Sequence, residues 1–319
     1  MTAVSSPRPT TPPRSDPDPR WALVERLVRP VLVVNLVVEV GIVVTGGLVR
    51  LTGSGLGCPT WPQCVPGSYT PVVHQPQGIH KYIEFGNRTL TGVVGIAALV
   101  ALVLVAAVVW RSHRPRRLVA VAALPLLGVV VQAVLGGITV LTHLHPATVA
   151  AHFLVSMGLV TASSYLLWRV GEPDGAPHPV VRREITLLAR ALAALTFVVL
   201  LLGTVVTGSG PHSGDAEAPA RFGFDPRAMS WLHSDSVLLW FGVLLAILVA
   251  LRLTAAPQAA QRAALWVLGV GILQGVIGYV QYLTGLPIVA VMLHMLGASL
   301  LVVVVTRLLM TLRERAPLA

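Results

Sequence analysis

Three histidines of this chain stand where histidine is costly. His152, His233 and His294 each fall a few residues inside an apolar run long enough to cross a membrane, and polar groups in such runs face a partner or a cavity. A pair of neutral imidazoles on facing helices can hold haem iron from both sides, with the macrocycle edge among Leu, Val and Gly. His233 and His294, 61 residues apart, are read as such a pair, the axial ligands of a haem. His152 is similarly placed, but 65 residues before it stands Asn87, in Glu84-Phe85-Gly86-Asn87-Arg88, where a facing imidazole would be needed. Asparagine is a poor iron ligand. This pocket is therefore expected to hold haem through His152 alone or through a shifted ligand, for which His80, seven residues before Asn87 on the same helical face, is the candidate.

The inequality of the two sets suggests different tasks. A haem saturated by two imidazoles moves electrons, whereas a macrocycle that is itself altered needs an open face and an acid or base nearby. Glu84, a carboxyl at the membrane boundary, could shuttle protons there. It could also pair with Arg88 at i, i+4 as an ordinary helix salt bridge, and the two roles are compatible. Asp235, two residues beyond His233, could orient an imidazole or meet water. The only cysteines, Cys58 and Cys64, lie in Gly57-Cys58-Pro59-Thr60-Trp61-Pro62-Gln63-Cys64. An oxidising outer compartment favours a disulfide there, and the spacing with its prolines does not suit zinc. The bond is read as a loop staple, with thiol–disulfide exchange as the alternative. Trp61 fits interfacial anchoring.

Only membrane helices could position these residues. Of the 319 residues, 55% are hydrophobic and 11% charged, against about a quarter charged in a soluble domain. Eight apolar spans are read, at 30–50, 86–110, 118–141, 147–168, 187–207, 230–251, 263–283 and 287–309. Strand-like alternation is absent, which favours an all-α membrane protein over a barrel. The net charge of +10 sits in clusters between spans rather than along one face, so it reports topology and not nucleic acid. With the N-terminus inside, 18 of the 23 Lys and Arg are cytoplasmic, and only Arg50, Lys81, Arg88, Arg221 and Arg227 lie outside. The expectation is a multi-pass protein of the bacterial plasma membrane, surrounded by lipid, with both termini cytoplasmic. Asn87, His152, His233 and His294 then share one depth near the outer face, roughly 10 Å along their helices at 1.5 Å per residue. Asn35 and Glu39 in the first span are read as ties to neighbouring spans.

The chain also repeats itself. At an offset of 142 residues Gln132 falls on Gln274, Gly136 on Gly278, Thr142 on Thr284, Leu144 on Leu286 and His152 on His294. Val43-Val44-Thr45-Gly46-Gly47 ends span 1 much as Val205-Val206-Thr207-Gly208-Ser209 ends span 5. The expected organisation is a disordered cytoplasmic tail at 1–24, a four-helix half at 25–170, a linker at 171–186 and a second half at 187–315. The halves form two pseudo-symmetric bundles related by an axis along the membrane normal.

One family joins these features. The run from Thr45-Gly46-Gly47-Leu48-Val49-Arg50 through Cys64 resembles the first-loop signature of haem A synthases. Glu84-x-x-Asn87-Arg88 is similar to that family's Glu-x-x-His-Arg element, with His152, His233 and His294 where its remaining histidines belong. The resemblance implies eight helices and oxidation of the C8 methyl of haem O to the formyl group of haem A, by successive hydroxylations, for cytochrome oxidase. It implies a haem b cofactor on His233 and His294, His152 facing the substrate haem with Asn87, Arg88 and His80 in that pocket, and Glu84 as the essential carboxylate. Cys58 and Cys64 resemble a loop pair linked in some members to electron or haem transfer. A haem O synthase that delivers substrate, an electron acceptor and oxidase assembly factors are the implied partners. Asn87, where the pattern has histidine, is the departure. The rival readings are a di-haem quinol-oxidising electron carrier, which two equal bis-His sites would favour, and a non-catalytic haem carrier or transporter.

Overall fold

A hydrocarbon environment offers no water to backbone amides, so apolar chain must close its hydrogen bonds within itself, and helices do so. The computed structural model describes residues 19–215 and 218–317. Eight long helices carry most of them: α1 (Pro19–Leu51), α2 (His80–Arg111), α3 (Arg117–Leu141), α4 (Pro146–Arg169), α5 (Arg183–Ser209), α6 (Pro226–Leu253), α7 (Gln258–Leu283) and α8 (Ile288–Thr311). Each is long and apolar enough to span a membrane, as the sequence predicts. The expected tail falls mostly on residues 1–18, which lie outside the described residues, while residues 19–24 belong to α1.

The ends are set by local chemistry. Asp225 caps α6 by accepting from the backbone N–H of Arg227 and Ala228 at 3.1 and 3.2 Å, and prolines open α4 and α6. The matched segments Thr142-His143-Leu144 and Thr284-Gly285-Leu286 turn alike: φ is 52° and 57° at His143 and Leu144, and 77° and 61° at Gly285 and Leu286. Left-handed backbone is strained for non-glycine residues, so the shared turn is a repeat at the level of the main chain.

Helices α1 to α4 pack in a ring, each on the next and α4 back on α1; α5 to α8 do the same, with α8 closing on α5. The rings meet where α8 packs on α1 and α4, and α4 on α5. Ring packing leaves α2 and α4 at opposite corners of one bundle, and α6 and α8 of the other. Each bundle has its own apolar core, with Leu32, Val105, Leu118 and Leu166 in the first and Leu192, Leu244, Ile247 and Leu308 in the second. Both cores lie in the turns nearest the chain termini. The opposite end, which carries the 52–79 and 210–225 loops and is called the loop end below, holds the candidate ligands instead. Asn35 and Glu39 act as expected: the Asn35 amide donates to Glu39 Oε1 at 2.9 Å and to Ser163 Oγ at 3.1 Å, and Ser163 donates to Glu39 at 2.9 Å, tying α1 to α4.

One feature was not foreseen. Inside the 171–186 linker, β1 (Pro177–Pro179) pairs antiparallel with β2 (Arg313–Arg315), so the C-terminal segment is strapped to the segment joining the bundles. Charge locks this strap. Asp174 accepts from Arg114 Nε and Arg169 Nη2, both at 2.7 Å, and Glu172 lies 3.4 Å from Arg315 and 3.6 Å from Arg313. The Arg169 side chain is 1% exposed, so losing its partner would strand a buried cation. Burial alone would push the Asp174 carboxyl up, but the hydrogen bonds and charges of Arg114 and Arg169 hold it below the usual carboxylate range. A depressed carboxylate stabilises the fold above its unfolded value, and that stability drains away as pH falls through the lowered folded value. Asp174→Asn should therefore cost about 1–3 kcal/mol. In detergent its thermal midpoint should fall by several degrees at neutral pH, and the gap from the parent should close on acidification; equal midpoints at pH 7 would show that the clamp contributes nothing.

Candidate functional site

The chemistry collects at the loop end. Asn87, His152, His233 and His294 stand six or seven residues inside α2, α4, α6 and α8, on the turns nearest the loops. Each side chain packs on a glycine of the preceding helix. A Cβ built on Gly136 of α3 would lie 3.5 Å from Cε1 of His152; on Gly203 of α5 and Gly278 of α7 it would lie 3.4 Å from Cε1 of His233 and of His294. On Gly46 of α1 it would lie 3.8 Å from the Asn87 amide nitrogen. The four positions are thus equivalent seats, three holding imidazole and one asparagine.

The imidazoles are half-buried, and in all three Nδ1 is buried without a hydrogen-bond partner. In His233 this edge turns to α5, where the Val199 carbonyl faces it, and in His294 to α7 and the Gln274 carbonyl, both outside hydrogen-bond geometry. His233 on α6 and His294 on α8 stand on equivalent turns at opposite corners of the second bundle. An Nδ1 turned to a carbonyl leaves Nε2 as the free lone pair, the usual arrangement of a metal-ligating histidine. Three imidazoles at one depth, each with Nδ1 buried and Nε2 left to ligate, suit a group bound through ring nitrogens. Haem fits this donor set.

Two glutamines brace the seats. Gln132 Nε2 donates to the His152 carbonyl at 3.0 Å and also to Ser156 Oγ, and Gln274 Nε2 donates to the His294 carbonyl at 2.9 Å. Gly297 lets Gln274 come this close, because a Cβ there would overlap the Gln274 amide. The repeat marked both glutamines. Their role as braces becomes visible only with the helices in place.

The asparagine seat differs. Asn87 Oδ1 accepts from Thr45 Oγ1 at 2.7 Å. Three residues earlier, Glu84 is 5% exposed and fully engaged: Oε2 accepts from the Cys58 backbone N–H at 2.6 Å, and Oε1 from Arg88 Nε and Nη2 at 3.0 and 2.5 Å. Arg88 also donates to the carbonyls of Cys58 and Thr60 at 2.7 and 3.0 Å. The expected i, i+4 salt bridge is present, and it extends into a clamp that holds the disulfide loop on α2. Cys58 and Cys64 are bonded and fully buried, which suits a staple. His80 is drawn into the same loop, its Nδ1 sharing a hydrogen bond of 2.8 Å with Ser54 Oγ. Lys81 donates to the carbonyls of Val72 and Val73. Trp61 does more than meet the interface: its indole lies against Gly137 of α3. Asp235 lies exposed on α6.

Comparison with known proteins places the chain in a family. Residues 29–213 match the COX15-CtaA family, described as a cytochrome oxidase assembly protein. Proteins named Heme A synthase are similar to the chain: one of Lysinibacillus sphaericus is 30% identical over 52% of this chain and 53% of its own length, and one of Methylobacterium radiotolerans 32% over 59% and 57%. A third, of Bacillus mycoides, is 25% identical over 83% of this chain and 86% of its own. The chain thus spans little more than half the length of the first two and most of the third.

The glycine seats can be tested directly. Gly278→Leu should displace the His294 imidazole and abolish the low-spin spectrum of haem added to the purified protein. Gly275→Leu, one turn away where a Cβ meets nothing within 4 Å, should keep it. Identical spectra in the two variants would remove the glycine from the argument.

Proposed function

The chain belongs to the COX15-CtaA family of cytochrome oxidase assembly proteins, and we propose that it is a haem A synthase that oxidises the C8 methyl of haem O to a formyl group. The inequality of its two pockets carries this reading: two imidazoles face each other in one, while the other sets one imidazole in the same bundle as an asparagine and a buried, clamped carboxylate. A carrier of electrons between two haems would want two equal pockets, and Asn87, held by Thr45, argues against it.

In this reading the 187–315 half holds haem b through His233 and His294, and the 25–170 half holds the substrate haem through His152. The bound haem b would supply a one-electron couple. The remaining work falls to the chain. Glycine seats and glutamine braces fix the imidazoles, so that ligation orders few new groups. Asn87 leaves the substrate pocket without a second strong ligand, which keeps one face of the macrocycle open. With water as the oxygen source, each hydroxylation replaces one C–H bond of the methyl group by C–OH and releases two electrons and two protons, the electrons passing to an acceptor outside the chain; loss of water from the geminal diol then yields the aldehyde. Glu84 is the carboxylate beside that pocket. Proton uptake, for which Oε2 keeps a second lone pair, would cancel the charge that pairs with Arg88 and so loosen the clamp on the disulfide loop. The loop clamp and the proton carrier are then one device. The termini face the cytoplasm and the pockets lie near the outer leaflet, where a haem O synthase would deliver substrate through the lipid and an acceptor outside the chain would take the electrons.

Bacteria that make haem O and lack haem A should accumulate haem A when they express this chain, as read by chromatography of extracted haems. Glu84→Ala should abolish that product while purified protein keeps the low-spin haem spectrum, and His233→Ala or His294→Ala should abolish both. Haem A formation unchanged in Glu84→Ala would reject the carboxylate's role, and no haem A from the intact chain would favour a carrier.

A further inference from the structure

Among the cations of the loop end, Arg50 is placed unlike the rest. Arg88 is taken by Glu84 and Lys81 by the carbonyls of Val72 and Val73; Arg221 and Arg227 lie exposed on the 210–225 loop and at the start of α6. Arg50, in the last turn of α1, is half-buried and crosses to the other bundle, where its Nη2 donates to the Thr207 carbonyl of α5 at 2.6 Å. Helices α1 and α5 are otherwise separated by α4 and α8, which pack on both. The stem is covered by the 210–215 loop: a Cβ on Gly214 would lie 3.5 Å from Arg50 Cγ, and the Gly214 carbonyl is fixed by the Gly55 N–H at 2.9 Å.

The helical period tells what this position overlooks. Arg50 is four residues beyond Gly46, the seat of Asn87, and Thr207 is four beyond Gly203, the seat of His233. Residues four apart share a face, so the guanidinium stands one turn, about 6 Å, toward the loop end from the His233 seat. A guanidinium has five N–H donors. Here one bond goes to Thr207, and among the described residues no carboxylate lies within ion-pair distance of Arg50. Among the described residues the remaining donors of the fork have no partner. Haem carries two carboxylate side chains that must find cations or water, and a planar fork matches a carboxylate in two-point geometry.

We propose that Arg50, supplied by the first bundle, binds a carboxylate side chain of the haem seated between His233 and His294 in the second. The site is built by both halves, and it couples the end of α1 to occupancy of the cofactor pocket. This rests on the haem reading above, and the experiment separates the two.

Purified protein freed of haem is titrated in detergent with haem and with haem dimethyl ester, whose carboxylates are masked, and binding is followed by the Soret band. The parent protein should bind haem about tenfold or more tighter than the ester, the size expected for one charge-assisted pair. Arg50→Met should lose that factor for haem and treat both ligands alike, while its bound haem keeps the low-spin spectrum of an intact imidazole pair. Arg50→Lys should recover part of the preference. Equal affinity of the parent for haem and ester, or undiminished preference for haem in Arg50→Met, would overturn the assignment while leaving the haem reading intact. Binding of neither ligand by the parent would overturn both.

Discussion

An imidazole stands most easily between two membrane helices where the facing residue has little or no side chain. Small residues let helix backbones approach in lipid, and here the space they free is given to a ligand rather than to the neighbouring backbone. Gly136, Gly203 and Gly278 each face one imidazole edge, 3.4–3.5 Å from where a Cβ would stand, and Gly46 faces the Asn87 amide. The seats lie at one depth because each ligand is carried on the first turns of an even-numbered helix and each glycine on the last turns of the helix before it. Ring packing then sets the seats of each bundle at opposite corners. The two bundle cores lie toward the opposite end, and a third apolar cluster, with Val43, Met157, Leu200 and Val302, packs where the bundles meet.

Much of this was legible in the sequence. Runs of about twenty apolar residues can do little in lipid except form helices, and seven of the eight predicted spans fall within their helices, the last starting one residue early at Pro287, which caps α8. Paired Gln and His stand out because polar side chains in such runs are rare. Asn87 was visible as the odd member for the same reason.

What the sequence hid is instructive in physical terms. The chain has 29 glycines, and the four that seat ligands precede them by unequal separations, because the intervening loops differ in length. Only the Gly136 and Gly278 pair, joined to their histidines by matched short turns, showed as a repeat. Ser163 completes the Asn35–Glu39 tie from another helix, with nothing local to mark it. The β1–β2 strap consists of two three-residue strands, one with two prolines, and has no periodicity to read. Glu84 illustrates the limit best: spacing foretold its bond to Arg88, but not that the Cys58 backbone N–H would take its other oxygen.

The two bundles are not free to act alone, and α1 is the reason. Thr45 holds Asn87, Gly46 seats it, and Gly47 lies so close to Met295, the neighbour of His294, that a Cβ there would meet the sulfur. One turn on, Arg50 reaches Thr207 in the second bundle. Three turns closer to the termini, Asn35 and Glu39 hold α1 to α4. A single helix therefore touches both pockets through adjacent residues, and close-packed contacts of this kind transmit displacement rather than absorb it. A ligand that shifts α1 by a fraction of an ångström at one pocket must be felt at the other. In the proposed reaction, where electrons pass from one macrocycle toward another, that coupling would fix the distance between them, which independent bundles joined only by a linker could not do.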